Sequence, residues 1–473
     1  MIPMTLAQIA ATVGGRVDGD PETVVTGAAF VDSREAVPGG LFVAVPGERV
    51  DGHDFTARAV EGGAVAVLGS RPTGVPSVLV EDPVDALGRL ARHLVDALDV
   101  TVLALTGSQG KTGTKDYLAQ VLATAGPTVA TRGNNNNEIG VPLTVLRAGH
   151  DTAYLVVEMG ARGIGHIAYL CGIAPPSAAA VLNVGTAHVG EFGSREAIAV
   201  AKGEIVEALP PTGTAVLNAD DELTAAMTSR TPARVLTFGR GGDVCWRGVE
   251  LDDLGRPSFE LGHDGDWQPV RLTQSGLHQV ENAAAAAALA LAVGLSLAQV
   301  AAGLTAAQPA SRWRMEVQER PDGLIVVNDA YNANPASMVA AIDALVAIGG
   351  RRGRRTVAVL GEMKELGDHT AEDHLAVGRA AAEAGVDLLV AVGEPARGIA
   401  EGARATDGWS GEAILTAGRD EALSHLRENV SAHDVVLVKA SRGAALEAIA
   451  ERLLEEEGTP PVTPEVNTEV PQP

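Results

Sequence analysis

Seven residues, Thr106 to Thr112 (TGSQGKT), carry the clearest chemistry in the chain. Glycines at 107 and 110 let the backbone curl so that successive N–H groups face phosphate oxygens, and a helix starting after the loop adds partial positive charge. Lys111 would neutralise terminal phosphates. The Thr112 hydroxyl suits Mg²⁺, a hard cation that takes oxygen donors and binds jointly to phosphate. Leu105 occupies the first glycine position of G-x-x-x-x-G-K-[ST], so the match is to the shorter T-G-x-x-G-K-T. The apolar run Val102 to Leu105 and the helical pattern after the loop place it at a strand-to-helix turn.

Three further groups point to the same edge. Glu158 ends the apolar run LVVE, at the carboxyl end of a strand, where open parallel sheets collect ligands, and is a candidate magnesium ligand. The run AAAVLN ends at Asn183, and the loop after it carries His188, either a ligand for a second metal or a solvated surface group. Lys202 lies in REAIAVAKGEIVEAL, which reads as a helix with apolar Ile198, Ala201, Ile205 and Ala208. It is either an exposed helix residue or a desolvated amine, which stays neutral and reacts with carbon dioxide to give a metal-binding carbamate.

Lysine usage sharpens that choice. The 36 basic residues are 31 arginines and only five lysines, at 111, 115, 202, 364 and 439. Arginine replaces lysine as a surface charge but cannot supply a compact ammonium or a neutral amine. All five lysines are therefore site candidates, with an Arg-biased composition as the simpler explanation.

The elements that must position these groups follow from the pattern of apolar runs. At 473 residues, 46% hydrophobic and 20% charged, the chain predicts a folded protein of two to four domains. Residues 1–98 read as a small α/β module. Residues 99–311 read as a parallel-sheet domain, because strands alternate with helical segments. Gln308 to Arg314 reads as a linker, and 312–457 as a second parallel α/β unit. Residues 458–473 hold five prolines and almost no large apolar side chain, which predicts a disordered tail.

The same composition excludes several classes. A net charge of −24, with no basic cluster beyond Arg351 to Arg355, argues against a nucleic-acid partner. The longest apolar stretch, Ala283 to Leu295, is shorter than the ~18 residues of a membrane span and predicts a buried soluble helix, hence no membrane insertion. Two cysteines and an N-terminus without a basic flank and apolar run predict a cytoplasmic protein.

Read together and in order, TGSQGKT, GNNNNEIGVPLTVL, VVEMGARGIGHI, LNVGTAHVGEFGS, AKGEI, VENAAAA, NDAYNANP and LGEMKELG resemble the Mur ligase family over nearly the whole chain. The NNEIGVP, AKGEI, YNANP and GEMKELG segments look like the branch that adds D-alanyl-D-alanine to UDP-N-acetylmuramoyl-tripeptide. The resemblance implies a three-domain α/β architecture, with a central P-loop domain and a Rossmann-like C-terminal domain, working as a monomer. It implies ATP-dependent amide synthesis through an acyl phosphate, in the biosynthesis of peptidoglycan.

By the same resemblance, Gly107, Ser108, Gln109, Gly110, Lys111, Thr112, Gly113, Asn137, Asn282, Arg314 and Asp329 would bind the nucleotide. Asn137 is one of four consecutive asparagines, 134–137, among which the motif does not choose. Thr112 and Glu158 would hold one Mg²⁺, and His188 with carbamylated Lys202 a second, leaving Lys111, His188 and Lys202 as the catalytic set. Ser33 and Arg34, in DSREAVPGG, would contact the uridine diphosphate, and Tyr331, Asn332 and Asn334 the substrate. Closure of the third domain would complete the site and exclude water. Gly113, Gln109 and Gln279 depart from the family's usual Thr, Asn and Asn. GKT alone would also fit a P-loop phosphotransferase or regulatory NTPase, and the superfamily includes other carboxylate–amine ligases such as folylpolyglutamate synthase. A non-catalytic binding protein is the remaining alternative.

Overall fold

The computed structural model describes residues 1–47, 50–185 and 192–455. His188 and the expected tail, 458–473, lie outside the described residues. The chain divides into two compact units, Met1–Ser311 with Glu365–Asp368, and Arg312–Lys364 with the chain from His369 onward.

The first unit holds two large sheets and a two-stranded pair, Met4–Thr5 with Val24–Val25. A five-stranded sheet runs Arg16–Asp18, Ser77–Leu79, Ala64–Gly69, Gly40–Val43, Ala29–Phe30, parallel except at its first pair. The helices Leu6–Val13 and Thr56–Glu61 pack on it and Pro83–Ala97 packs on Leu6–Val13, and the starts of the first and last are legible locally. Thr5 and Gln8 form a capping box, and Asp82 accepts from the Val84 and Asp85 N–H groups ahead of a proline in the first turn.

The second sheet has nine strands, in the order Asp266–Arg271, Pro257–His263, Val244–Leu251, Arg234–Phe238, Thr214–Asn218, Ala178–Val181, Thr101–Thr106, Tyr154–Glu158, Thr128–Ala130. Its last six strands are parallel, and alternate residues feed opposite cores. Val102, Ala104, Leu155 and Val157 pack toward the helices His166–Ile173 and Arg195–Glu207. Leu103, Leu105 and Val156 pack toward Lys111–Ala123 and His278–Ala292. Burial on both faces is why these strands read as continuous apolar runs.

The antiparallel strands at the far edge were not foretold by the parallel pattern. One of their turns, Asp264 and Gly265 with φ of 51° and 88°, uses the Asp-Gly pair that such hairpins favour. The expected Ala-rich helix is present as His278–Ala292, with Ala283 to Ala290 at most 1% exposed. Among the described residues no helix is long and apolar enough to cross a membrane.

The second unit is a six-stranded sheet ordered Glu316–Glu319, Ile325–Asn328, Asp434–Lys439, Arg355–Leu360, Leu388–Val392, Glu412–Thr416, parallel except for its first strand. Helices Arg419–Asn429 and Glu447–Leu454 bury their apolar residues against one face. Pro335–Arg352 packs on the strands Arg355–Leu360 and Asp434–Lys439 and on the helix Thr370–Glu383.

Candidate active site

In the nine-stranded sheet the strand Thr101–Thr106 lies between Tyr154–Glu158 and Ala178–Val181, so the chain leaves it on one side and returns on the other. Such a switch point opens a crevice at the carboxyl ends of the strands. Three segments converge there: the loop 107–110, Glu158, and Asn183. Gly110 has φ 77° and precedes the helix Lys111–Ala123, whose first turn has no side-chain cap and is open to an anion. A side chain at Gly110 would also strike the Asn282 carboxamide. Lys111 folds back, its Nζ donating to the Gly107 carbonyl at 2.7 Å.

Asn183 holds the loop. Its Oδ1 accepts from the Ser108 and Gln109 N–H groups at 3.0 and 2.9 Å, and its Nδ2 donates to the Gln109 carbonyl at 3.3 Å. The Ser108 hydroxyl in turn accepts from Gly185 N–H at 2.9 Å. The N–H groups of Ser108 and Gln109, expected to face phosphate, are therefore turned to Asn183. Sequence alone gave Asn183 no role, because its partners are 74 and 75 residues away and only the strand order brings them together.

Glu158 is 1% exposed and fully oriented. Its Oε2 accepts from the Thr112 hydroxyl at 3.0 Å and its Oε1 from Asn136 Nδ2 at 2.8 Å. Its N–H donates to the Thr131 hydroxyl at 3.0 Å, while the Thr131 carbonyl accepts from buried Lys115 at 2.8 Å. Among the four asparagines it is thus Asn136, not Asn137, that reaches the carboxylate. Asn137 Oδ1 accepts from the Ile139 and Gly140 N–H groups and starts the helix Gly140–Val145.

Lys202 sits in the helix Arg195–Glu207, 5% exposed. It is an interior group, not an exposed helix residue. Burial holds its amine well below the ordinary lysine range, and the positive charge of Lys111 adds to the effect. Two residues on, Glu204 caps the helix His166–Ile173 by accepting from Gly165 and Ala168 N–H at 2.5 and 3.0 Å. The AKGEI segment therefore joins two elements as well as placing an amine. Asn282 donates to Gln279 Oε1 at 3.2 Å. A Cβ on Gly113 would stand 2.9 Å from Asn282 Nδ2, so the departure at 113 leaves room for this amide pair.

Magnesium fits these donors. Thr112 and Glu158 offer a hydroxyl and a carboxylate side by side, and a magnesium ion bound with nucleotide needs only one or two carboxylates. Among the described residues no group of three or more His, Cys, Asp and Glu forms an all-protein cage.

The remaining candidates fall elsewhere. Ser33 is buried and Arg34 is 70% exposed, its guanidinium paired with Asp32 at 2.5 Å, which holds that carboxyl at about 2. Arg314, Asp329, Tyr331, Asn332 and Asn334 all belong to the second unit. The Arg314 guanidinium lies 4.1 Å from the Tyr331 ring centre. Asn332 Oδ1 accepts from Ala333 N–H at 2.9 Å. Asn334 caps the helix Pro335–Arg352, its Oδ1 accepting from Ser337 N–H at 2.9 Å, so its carboxamide oxygen has a structural task.

Comparison with known proteins settles the ancestry of this arrangement. Residues 29–94 match the Mur ligase family catalytic domain, 105–290 the Mur ligase middle domain, and 313–442 the Mur ligase glutamate ligase domain. A Mycobacterium tuberculosis protein named UDP-N-acetylmuramoyl-tripeptide–D-alanyl-D-alanine ligase is 47% identical, over 98% of this chain and 100% of its own. The chain belongs to the Mur ligase family. An Escherichia coli relative of the same name is 36% identical to this Mur ligase, over 97% and 100% of the two chains. The crystal structure of MurF from Acinetobacter baumannii superposes with a TM-score of 0.85 at 36% identity, covering 96% of this Mur ligase and 99% of that chain. MurF from Thermotoga maritima, solved in complex with ADP, gives 0.77 at 32%, covering 91% and 98%.

Proposed function

We propose that this Mur ligase joins D-alanyl-D-alanine to UDP-N-acetylmuramoyl-tripeptide, with ATP converted to ADP and phosphate, giving the pentapeptide precursor of peptidoglycan. The observation that carries the reading is the Thr112–Glu158–Asn136 cluster beside the loop of Lys111, in a chain 47% identical from end to end to a ligase of that name. A P-loop phosphotransferase or regulatory NTPase needs the loop but not a buried lysine beside it.

The chemistry demands what these residues offer. The tripeptide's terminal carboxylate attacks the γ-phosphorus and ADP leaves, producing an acyl phosphate. The dipeptide amine, having given up a proton, then attacks the acyl carbon and phosphate departs. Two anions meet in the first step, so charge must be withdrawn from the phosphate. Lys111 does this as the γ-phosphate takes the place of the Gly107 carbonyl at its ammonium. Glu158, fixed by Asn136 and Thr131, and Thr112 would hold one Mg²⁺, and carbamylated Lys202 with His188 a second; when bound, these ions neutralise phosphate charge. Gly107, Gly110, Gly113 and the first turn of the helix Lys111–Ala123 would cradle the phosphates, with Asn282 and Arg314 completing the nucleotide contacts and Asp329, engaged by Lys439 and Met315, standing behind Arg314. Residues 1–98 would hold the nucleotide sugar, 99–311 the ATP, and 312–457 the incoming amine near Tyr331 and Asn332. The reading takes the enzyme to work as a monomer in the cytoplasm, on diffusible small-molecule substrates.

Incubating the protein with ATP, D-alanyl-D-alanine and UDP-muramoyl-tripeptides differing in their third residue tests the reading. The expected product has the mass of the pentapeptide, formed mole for mole with ADP. ATP hydrolysis without that product would overturn it. Arg34 gives a second, local test. If the exposed fork beside Asp32 grips the uridine diphosphate, Arg34→Ala raises the KM for the nucleotide-sugar substrate and leaves that for ATP nearly unchanged, because contacts remote from the chemistry mainly set binding. Equal changes in both constants would contradict the assignment.

A further inference from the structure

Lys439 has no step of its own in the scheme above, yet it is one of five lysines in a chain that otherwise uses arginine. It ends the strand Asp434–Lys439, which lies between Ile325–Asn328 and Arg355–Leu360. That strand is the switch point of the second unit's sheet, as Thr101–Thr106 is of the first. The Lys439 side chain is 3% exposed and its Nζ has two acceptors, Asp329 Oδ2 at 2.5 Å and the Asn332 carbonyl at 2.9 Å.

The other oxygen of Asp329 accepts from the Met315 N–H at 3.0 Å. Met315 has φ 48° and Trp313 φ 60°, both in the left-handed region that non-glycine residues seldom adopt. The Trp313 carbonyl is held in turn by Tyr331 N–H at 3.2 Å. Arg314 lies between these two strained residues. Its guanidinium stacks on Tyr331, and its Nε is buried with no hydrogen-bond partner among the described residues. A chain of contacts thus runs from the Lys439 ammonium through the Asp329 carboxylate and a strained backbone to one guanidinium.

We propose that Lys439 is a positioning residue: its ammonium fixes Asp329, Asp329 fixes the left-handed Trp313–Met315 backbone, and that backbone aims Arg314 at the nucleotide. The proposal rests on the nucleotide role given to Arg314 above. Lysine suits the task because a compact ammonium can serve a carboxylate oxygen and a carbonyl oxygen at a strand end, where a planar guanidinium fork would demand different geometry. Without it, Asp329, whose side chain is 14% exposed, loses its cation, turns toward water and lets go of Met315.

The test is a kinetic cycle on the full-length enzyme with Lys439→Met, Arg314→Ala and the double variant, varying ATP and the nucleotide-sugar substrate separately and following thermal melting alongside. Lys439→Met is expected to lower kcat/KM for ATP by about tenfold to a hundredfold, as misplacement of a positioning group does, with the KM for the nucleotide-sugar substrate nearly unchanged. The double variant is expected to be no worse than Arg314→Ala alone. Penalties that multiply in the double variant, or a loss shared equally by both substrates, overturn the proposal. Should Lys439→Met not fold, the same cycle is run with Asp329→Asn/Lys439→Met, which buries no charge and keeps an oxygen for Met315; multiplied penalties there overturn it equally. Normal Lys439→Met kinetics beside a defective Arg314→Ala overturn this proposal alone, whereas normal ATP kinetics in Arg314→Ala remove the nucleotide role of Arg314 and this proposal with it.

Discussion

Lys202→Ala should ligate on the order of 10²–10³-fold more slowly than the parent enzyme, the usual effect of removing a preorganised charge from a site of developing charge, while folding normally. The burial of Lys202 is the reason for both halves of the expectation. An ammonium there is desolvated and faces the like charge of Lys111, and it would repel a magnesium ion. A neutral amine can combine with carbon dioxide, losing one proton and gaining a carbamate whose oxygens a hard divalent cation prefers. Alanine removes the amine without disturbing the helix Arg195–Glu207, because alanine is the strongest helix former and the interior loses only a costly polar group. A small carboxylic acid in solution should restore part of the activity of Lys202→Ala by occupying the vacated place. Lys202→Arg should stay inactive, since a guanidinium remains protonated. Substantial turnover in Lys202→Arg would falsify the carbamate assignment.

Lys111→Ala is expected to lose ligation to a similar degree, on the order of 10²–10³ in kcat, with little change in melting temperature. The Nζ contact to the Gly107 carbonyl is one hydrogen bond, worth about 1 kcal/mol to the fold. The Asn183 carboxamide still holds the loop at Ser108 and Gln109 when Lys111 is gone. Structure and catalysis are therefore separable at this position, and the defect should appear in turnover at saturating ATP. Near-normal turnover would sink the phosphate-loop assignment.

Much of this site was legible because its parts are local. An apolar run ending in Gly-x-x-Gly-Lys-Thr with a helical pattern after it favours a buried strand feeding a loop and a helix over an ordinary glycine turn, and Glu158 was marked by standing at the end of another such run. What sequence could not supply was the set of partners across the sheet. The run Asn134 to Asn137 offers four equal side chains until the fold commits Asn137 to starting a helix and turns Asn136 onto Glu158. Asn183 needed the strand order, and Lys439 needed the knowledge that its strand ends beside Asp329. The NDAYNANP segment was read as nucleotide and substrate contacts, and its pieces also have structural tasks: Asn334 caps a helix, Asp329 anchors a lysine and a strained turn, and Tyr331 carries a guanidinium. His188 falls outside the described residues, so its expected metal contact rests on the motif alone.

The placement of the lysines has a practical side. Lys115, Lys202 and Lys439 are buried and Lys111 is half-buried against Gly107, leaving Lys364, with half of its side chain exposed, as the one lysine in open solvent. Among the side chains, an amine-reactive dye or surface-coupling reagent should therefore load first at Lys364, with thirty-one arginines as silent bystanders. Within these residues the GEMKELG segment thus offers a nearly unique side-chain handle, through which a fluorophore or a support can be attached without engineering a cysteine.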